Sequence, residues 1–108
     1  MTEMGATIVS SNDVIIVVPA IYKDLSSQKR RAVREKYITM QEGKCYYCDS
    51  MLTAPPPKKV MGYKITTSKF PKSFFNYPVH LHHDHDTGLT IGAVHAFCNA
   101  VLWQYHGE

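Results

Sequence analysis

The sequence predicts a small α+β domain: a ββα unit in its C-terminal third, preceded by a basic helix and an N-terminal strand, and stapled by a metal knuckle. Three observations carry this. Residues 79–106 read as strand, turn, strand and helix, with Asp86-Thr87-Gly88 supplying the turn. Cys45-x-x-Cys48 and His95-x-x-Cys98 are two pairs with the spacing of zinc ligands. The chain has 108 residues, which fits one domain whose modest core a structural metal commonly supplements.

Residues 1–25 form a β-prone segment ahead of a compact unit over 26–108. Val14 to Val18 is β-branched throughout, and Pro19 ends it. A run apolar on both faces is a buried strand, or one covered by a partner chain, and residues 1–22 suggest no chemistry. Residues 26–41 read as a helix capped by Ser26 or Ser27, with Val33, Tyr37 and Met40 on one stripe. Arg30 and Arg34 lie one turn apart on another face; they are either a solvated basic side or phosphate contacts. Gly43 stops the helix.

Residues 53–78 are the least regular part. Pro55-Pro56-Pro57 is a stiff spacer, and after it lysines, Lys64 and Lys69 among them, interleave with Tyr63, Phe70, Phe74, Phe75 and Tyr77. Such a mixture either holds a nucleic-acid backbone and stacks on bases or packs its rings onto the core; the second reading suits most of these rings. Val79–His83 and Leu89–Val94 are then the two strands, and Ala96–Tyr105 the helix, ended by Gly107.

The composition is that of a globular protein, with 44% hydrophobic residues and a net charge of +3. Positive charge concentrates between Lys23 and Lys44 and in the acid-free stretch Lys58–Lys72, which suits a polyanionic partner without requiring one. Three cysteines do not make a disulfide framework; their pattern suggests metal and a reducing compartment. Val14–Val18 is too short to span a bilayer, and Glu3 and Asp13 without Lys or Arg argue against a secretory start. The expected location is the cytoplasm, with no membrane partner.

Each cysteine-containing pair bends back so that both side chains reach one ion. Together Cys45, Cys48, His95 and Cys98 complete a closed tetrahedral zinc site, provided the fold brings the two pairs together across a stretch longer than that of a small zinc finger. A second constellation is the histidine cluster His80, His82, His83 and His85 with Asp84 and Asp86. Imidazole binds metals and accepts protons near neutral pH. His82 and His83 point to opposite faces of a regular strand, so sharing a site requires a bend there. Asn99 follows Cys98 and is placed by the knuckle. His106, two turns beyond Asn99, either caps the helix end or reaches the same site, and capping suits a cation there.

The combined pattern, Gly43-Lys44-Cys45-x-x-Cys48, His80-x-His82-His83-Asp84-His85-x-Thr87-Gly88, Gly92 and His95-x-x-Cys98-Asn99, resembles the HNH (ββα-metal, His-Me finger) nucleases over residues 30–106, and within them is most similar to the recombination endonuclease VII branch. The resemblance implies a ββα fold with structural Zn2+, one catalytic divalent cation (Mg2+, Mn2+ or Ni2+), and hydrolysis of phosphodiester bonds in DNA. By position, it implies that His83 is the general base that activates water and that His82 and Asn99 hold the catalytic ion. Cys45, Cys48, His95 and Cys98 match the zinc ligands, and His80 and His85 match supporting positions. Products would carry 5′-phosphate and 3′-hydroxyl, and activity would fall in acid as His83 is protonated.

This chain departs from that branch in two places. His82 stands where the branch has Asp, which removes a negative charge and suggests a transition-metal preference. His95 replaces a usual Cys, an ordinary exchange for zinc. DNA is the expected partner, with Arg30, Arg34, Lys64 and Lys69 as candidate contacts. Cutting both strands with one site per chain calls for a homodimer or two binding events, and the N-terminal strand offers a dimer contact. The small size suits a phage or mobile-element enzyme, and equally a small restriction enzyme or a branched-DNA resolvase. The alternatives are a non-catalytic zinc-stabilised nucleic-acid-binding module and a zinc-scaffolded protein-interaction domain.

Overall fold

A computed structural model of the chain describes residues 7–9 and 14–107, with side chains from 16 to 107. At its N-terminal end β1 (Thr7–Val9) pairs antiparallel with β2 (Val14–Ile16). The expected strand is shorter than the apolar run: it ends at Ile16, whose side chain enters the core, while Val17 turns to solvent. Pro19, which has no N–H to give a ladder, follows. The chain then lies along the C-terminal hairpin. Thr90 N donates to Ala20 O at 2.8 Å and Tyr22 N to Gly88 O at 2.8 Å, so the N-terminal segment is hydrogen-bonded onto the unit that carries the histidines.

Helix α1 (Ser27–Met40) starts at the predicted cap: Ser26 Oγ accepts from Lys29 N at 3.2 Å. Val33 and Tyr37 are buried as expected, but Met40 is 57% exposed. The buried stripe runs in steps of four to Gln41 rather than in a step of three to Met40. Gln41 mimics a peptide group. Its Oε1 accepts from Ala93 N at 2.9 Å, and its Nε2 donates to Ala93 O at 2.9 Å and to Lys44 O at 2.7 Å. Gly43, at φ +79, lets the chain reverse directly after the helix, its N–H returning to Ile38 O at 2.8 Å.

The segment that follows contains a short helix α2 (Lys58–Met61) and several single turns. Strands β3 (Val79–His83) and β4 (Thr90–His95) form the second antiparallel pair, with Leu81 opposite Ala93 and His82 opposite Gly92. The register shifts between His82 and His83, so that His83 faces Thr90 and Ile91 is the extra residue. Helix α3 (Ala96–His106) follows β4 without a loop. The core gathers Val33 and Tyr37 of α1, Leu81 and Val94 of the hairpin, and Cys98, Val101 and Leu102 of α3. Tyr37 Oη meets Thr90 O at 3.1 Å and Thr90 Oγ1 at 3.0 Å, and burial raises its phenol above the ordinary range. Of the rings in the irregular segment, Phe70 and Phe74 pack inward: Phe70 against Trp103 at 5.3 Å and Phe74 against His80 at 4.5 Å. Among the described residues, no helix is long and apolar enough to cross a membrane.

Gly92 is where α1, the cysteine turn and β4 come closest. A Cβ there would lie 2.7 Å from Gln41 Oε1 and 3.1 Å from Tyr46 Cβ. Gln41 is pinned by its three hydrogen bonds, so it cannot yield without losing them. Gly92→Ala is therefore expected to destabilise by about 1–3 kcal/mol, the usual cost of overpacking, which outweighs the roughly 0.4–1 kcal/mol that a compatible Gly→Ala change contributes. Urea denaturation checks this; an unchanged midpoint would show that the junction is loose.

Candidate functional site

The cysteine turn is a short reversal between Lys44 and Met51, which bridge each other across it. Cys45 N donates to Ser50 O at 2.8 Å and Asp49 N to Cys45 O at 2.9 Å, so the backbone itself holds Cys45 and Cys48 on one side. His95 ends β4 and forms the N-cap position of α3, with Cys98 in the first turn of the helix. The fold thus brings the two pairs together. Their four ligand atoms all lie within 4.8 Å of one another. A tetrahedral ion with bonds of about 2.3 Å to sulfur needs ligand atoms roughly 3.8 Å apart, so the cluster can hold a metal ion such as zinc.

The histidine is set for that role. His95 Nε2 lies 3.0 Å from Met51 O and 2.7 Å from Ala54 O. Carbonyls only accept, so Nε2 carries the proton and Nδ1 offers its lone pair. Nδ1 is the atom that faces the sulfurs, 3.5 Å from Cys48 and 3.6 Å from Cys98. A ligating histidine whose other nitrogen donates to a carbonyl is the usual arrangement around zinc. A hydrogen bond from Cys98 lowers the Cys45 thiol to about 4, and the same contact, with burial, pushes Cys98 up.

A cavity of about 600 Å³ opens between α1, β3, α3 and residues 69–77. His80, His83, His85 and Asn99 line it, with Arg30, Arg34 and Lys69. No Asp or Glu is among its lining residues. His80 Nε2 lies 2.8 Å from Phe74 O, which fixes the proton on that nitrogen, and burial holds this histidine below the ordinary imidazole range. Its Nδ1 is then an acceptor, 3.1 Å from the side-chain amide of Asn99. Asn99 therefore turns its NH2 to His80, and its Oδ1 is the other end of the amide.

His83 stands on a ring from the N-terminal segment. Tyr22 is parallel to it, 3.9 Å between centroids and 9° between planes. The Arg30 guanidinium lies 3.9 Å from the same Tyr22 centroid. Two groups that close to one ring cannot share a face, so Tyr22 is sandwiched. Arg30 Nε also donates to Tyr22 O at 3.3 Å. His85 is 5.0 Å from His83, ring to ring. Burial, chiefly, and then the charge of His85 lower the His83 pKa, so its imidazole is neutral at pH 7.

The expected site residues divide on this geometry. His83, Asn99, His80 and His85 come together, as do Arg30, Arg34 and Lys69. His82 does not line the cavity. It is 1% exposed and lies opposite Gly92. Cross-strand neighbours share a face, and on that face Tyr46 and Gln41 cover Gly92; the Tyr46 ring is 6.5 Å from that of His82. The register shift falls directly after His82, where a bend was expected; His83 beyond it lines the cavity, whereas His82, on the same face of β3 as His80, is buried. Within the cavity Asn99 meets His80, and its expected partner His82 is buried two residues further along the same face of β3. Lys64 is also away from the cavity; its carbonyl accepts from Gln104 Nε2 at 3.0 Å on α3. His106 meets Tyr47 Oη at 3.3 Å, near the cysteine turn.

Two contributors have no motif to mark them. Tyr22 sits in a segment that suggests no chemistry, and Gln41 reads as an ordinary helix end. Only its place one turn after Tyr37, on the buried stripe, hinted that Gln41 points inward. Set against family models, curated proteins and solved structures, the chain matches none.

Proposed function

We propose that the protein is a metal-dependent endonuclease that hydrolyses phosphodiester bonds in DNA, as its resemblance to the HNH nucleases implies. The observation that carries this reading is the joint placement of a neutral imidazole, His83, and an amide, Asn99, in one cavity edged by Arg30, Arg34 and Lys69. A phosphodiester needs cations around its oxygens and a base beside its attacking water. His83 takes the proton from that water. Tyr22 keeps the imidazole in its plane, and Arg30, Arg34 and Lys69 attract and orient the phosphates. The cluster of Cys45, Cys48, His95 and Cys98 holds zinc as a structural ion and fixes the start of α3, which carries Asn99.

The cation would be held by Asn99 together with His80 rather than His82. His80 Nδ1 and the Asn99 amide are 3.1 Å apart, near the roughly 3 Å between adjacent ligands of an ion with bonds of about 2.1 Å. The amide can present either its nitrogen or its oxygen by a half-turn. The backing of His80 Nε2 by Phe74 O repeats the arrangement at His95. When bound, the ion supplies Lewis-acid stabilisation of the charge that develops on the phosphate and the leaving 3′ oxygen.

The test is incubation of the zinc-loaded protein with supercoiled plasmid across magnesium, manganese and nickel. Nicking or linearisation is expected. It should be faster with manganese or nickel than with magnesium, because the donors are imidazole and amide with no carboxylate. Equal or better activity with magnesium would overturn the ligand assignment. No cleavage with any of the three ions would overturn the nuclease reading.

A further inference from the structure

Two rings of the cavity play no part in hydrolysis. Tyr77 is 69% exposed and Trp103 is 41% exposed, and both line the cavity that holds Arg30, Arg34 and Asn99. The Trp103 ring is braced, and the backbone at Tyr77 is restricted. Phe70 meets Trp103 at 5.3 Å and 66°, and Phe70 is itself packed on Phe74 at 4.6 Å. Tyr77 is extended, at φ −109 and ψ 122, and precedes Pro78, which disfavours any helical alternative. Every fully ionised side chain in the lining is a cation: Arg30, Arg34 and Lys69. A surface that joins fixed cations to exposed aromatic faces matches an anionic strand bearing flat apolar rings. In a duplex those rings are stacked on one another and out of reach. They become available only where bases are unpaired.

We infer that the cavity takes an unpaired stretch of DNA, its phosphates toward Arg30 and Arg34 and its bases stacked on both Tyr77 and Trp103. This rests on the nuclease reading and names the substrate class for it. A duplex reaches the site only where it is opened or ends in a single strand.

Trp103 is the only tryptophan of the chain, so its fluorescence reports directly from the cavity wall. The zinc-loaded protein, without added divalent ion, is titrated with single-stranded DNA of about ten nucleotides, within the site size of a single-strand groove. The blunt duplex of the same length is titrated at the same salt concentration. Affinity is read from the anisotropy of a labelled oligonucleotide. The single strand is expected to quench Trp103 and to bind about tenfold or more tightly than the duplex. Tyr77→Ala should weaken single-strand binding by roughly five- to a hundredfold, the loss of one stacked base. It should leave duplex binding unchanged, and Tyr77→Phe should behave as wild type. The exposure of Tyr77 keeps folding out of the comparison. Equal or tighter binding of the duplex, absence of quenching, or an indifferent Tyr77→Ala variant each overturns the inference. Plasmid cleavage that is lost in His83→Ala, together with equal binding of both oligonucleotides, sinks this inference and leaves the nuclease reading standing. Selective single-strand binding with no cleavage under any ion does the reverse.

Discussion

Cys45→Ser is expected to leave the chain unfolded at room temperature, with far-UV circular dichroism reduced to that of a coil and bound zinc lost. Cys45 is buried on the cysteine turn, and its sulfur is one of four ligand atoms gathered within 4.8 Å. An ion held there would tie that turn to the junction of β4 and α3. A structural zinc contributes on the order of 10–16 kcal/mol to folding in small zinc domains, as much as the whole stability of a typical domain, about 5–15 kcal/mol. Serine supplies neither the thiolate nor an apolar replacement. Treating the wild-type protein with a strong chelator should reproduce the variant, and returning zinc should restore the wild type alone. A Cys45→Ser protein that keeps its zinc and its melting temperature would show that the cluster does not hold the fold together.

His83→Ala should do the opposite: remove cleavage and keep the fold. Loss of a positioned general base lowers rates by about 10²–10⁴-fold, enough to erase plasmid nicking in an ordinary assay. His83 stands at the cavity wall, and its ring leans on Tyr22 without closing the core. The neighbouring position provides the control. His82 is fully buried, so His82→Ala leaves a gap and disturbed polar groups in the interior and is expected to cost about 1–3 kcal/mol of stability. Thermal melts and plasmid assays on both variants separate the roles. A His82→Ala protein that melts like wild type but no longer cleaves would return His82 to the site in place of His80.

The contrast between these adjacent histidines marks how far the sequence could be read. The hairpin, the helix after it and the four cysteine and histidine ligands were legible, because strand alternation, turn residues and ligand spacing are local properties. The burial of His82 was not. It depends on what covers that face of β3: Gly92 lies opposite, with Gln41 and Tyr46 packed over it. Met40 was misplaced for a similar reason: period alone allows a step of three or four, and the partner surface selects four. Tyr22 was out of reach. Its stacking on His83 joins residues 61 positions apart (83 − 22) through a backbone bond to Gly88, and nothing local to either residue announces it.

Gln41 has a consequence for how copies of the chain can meet. A two-stranded sheet has two margins, and each invites a strand from another molecule. Along β4 that invitation is withdrawn. The N–H and C=O of Ala93 are taken by the Gln41 amide, Tyr46 N donates to the same carbonyl at 2.9 Å, and Thr90 N is already given to Ala20. A helix-end side chain and two stretches of loop do the work of a third strand without being one. Strand addition at this margin, whether as orderly pairing or as aggregation, is therefore blocked, and two copies of the chain would have to meet elsewhere.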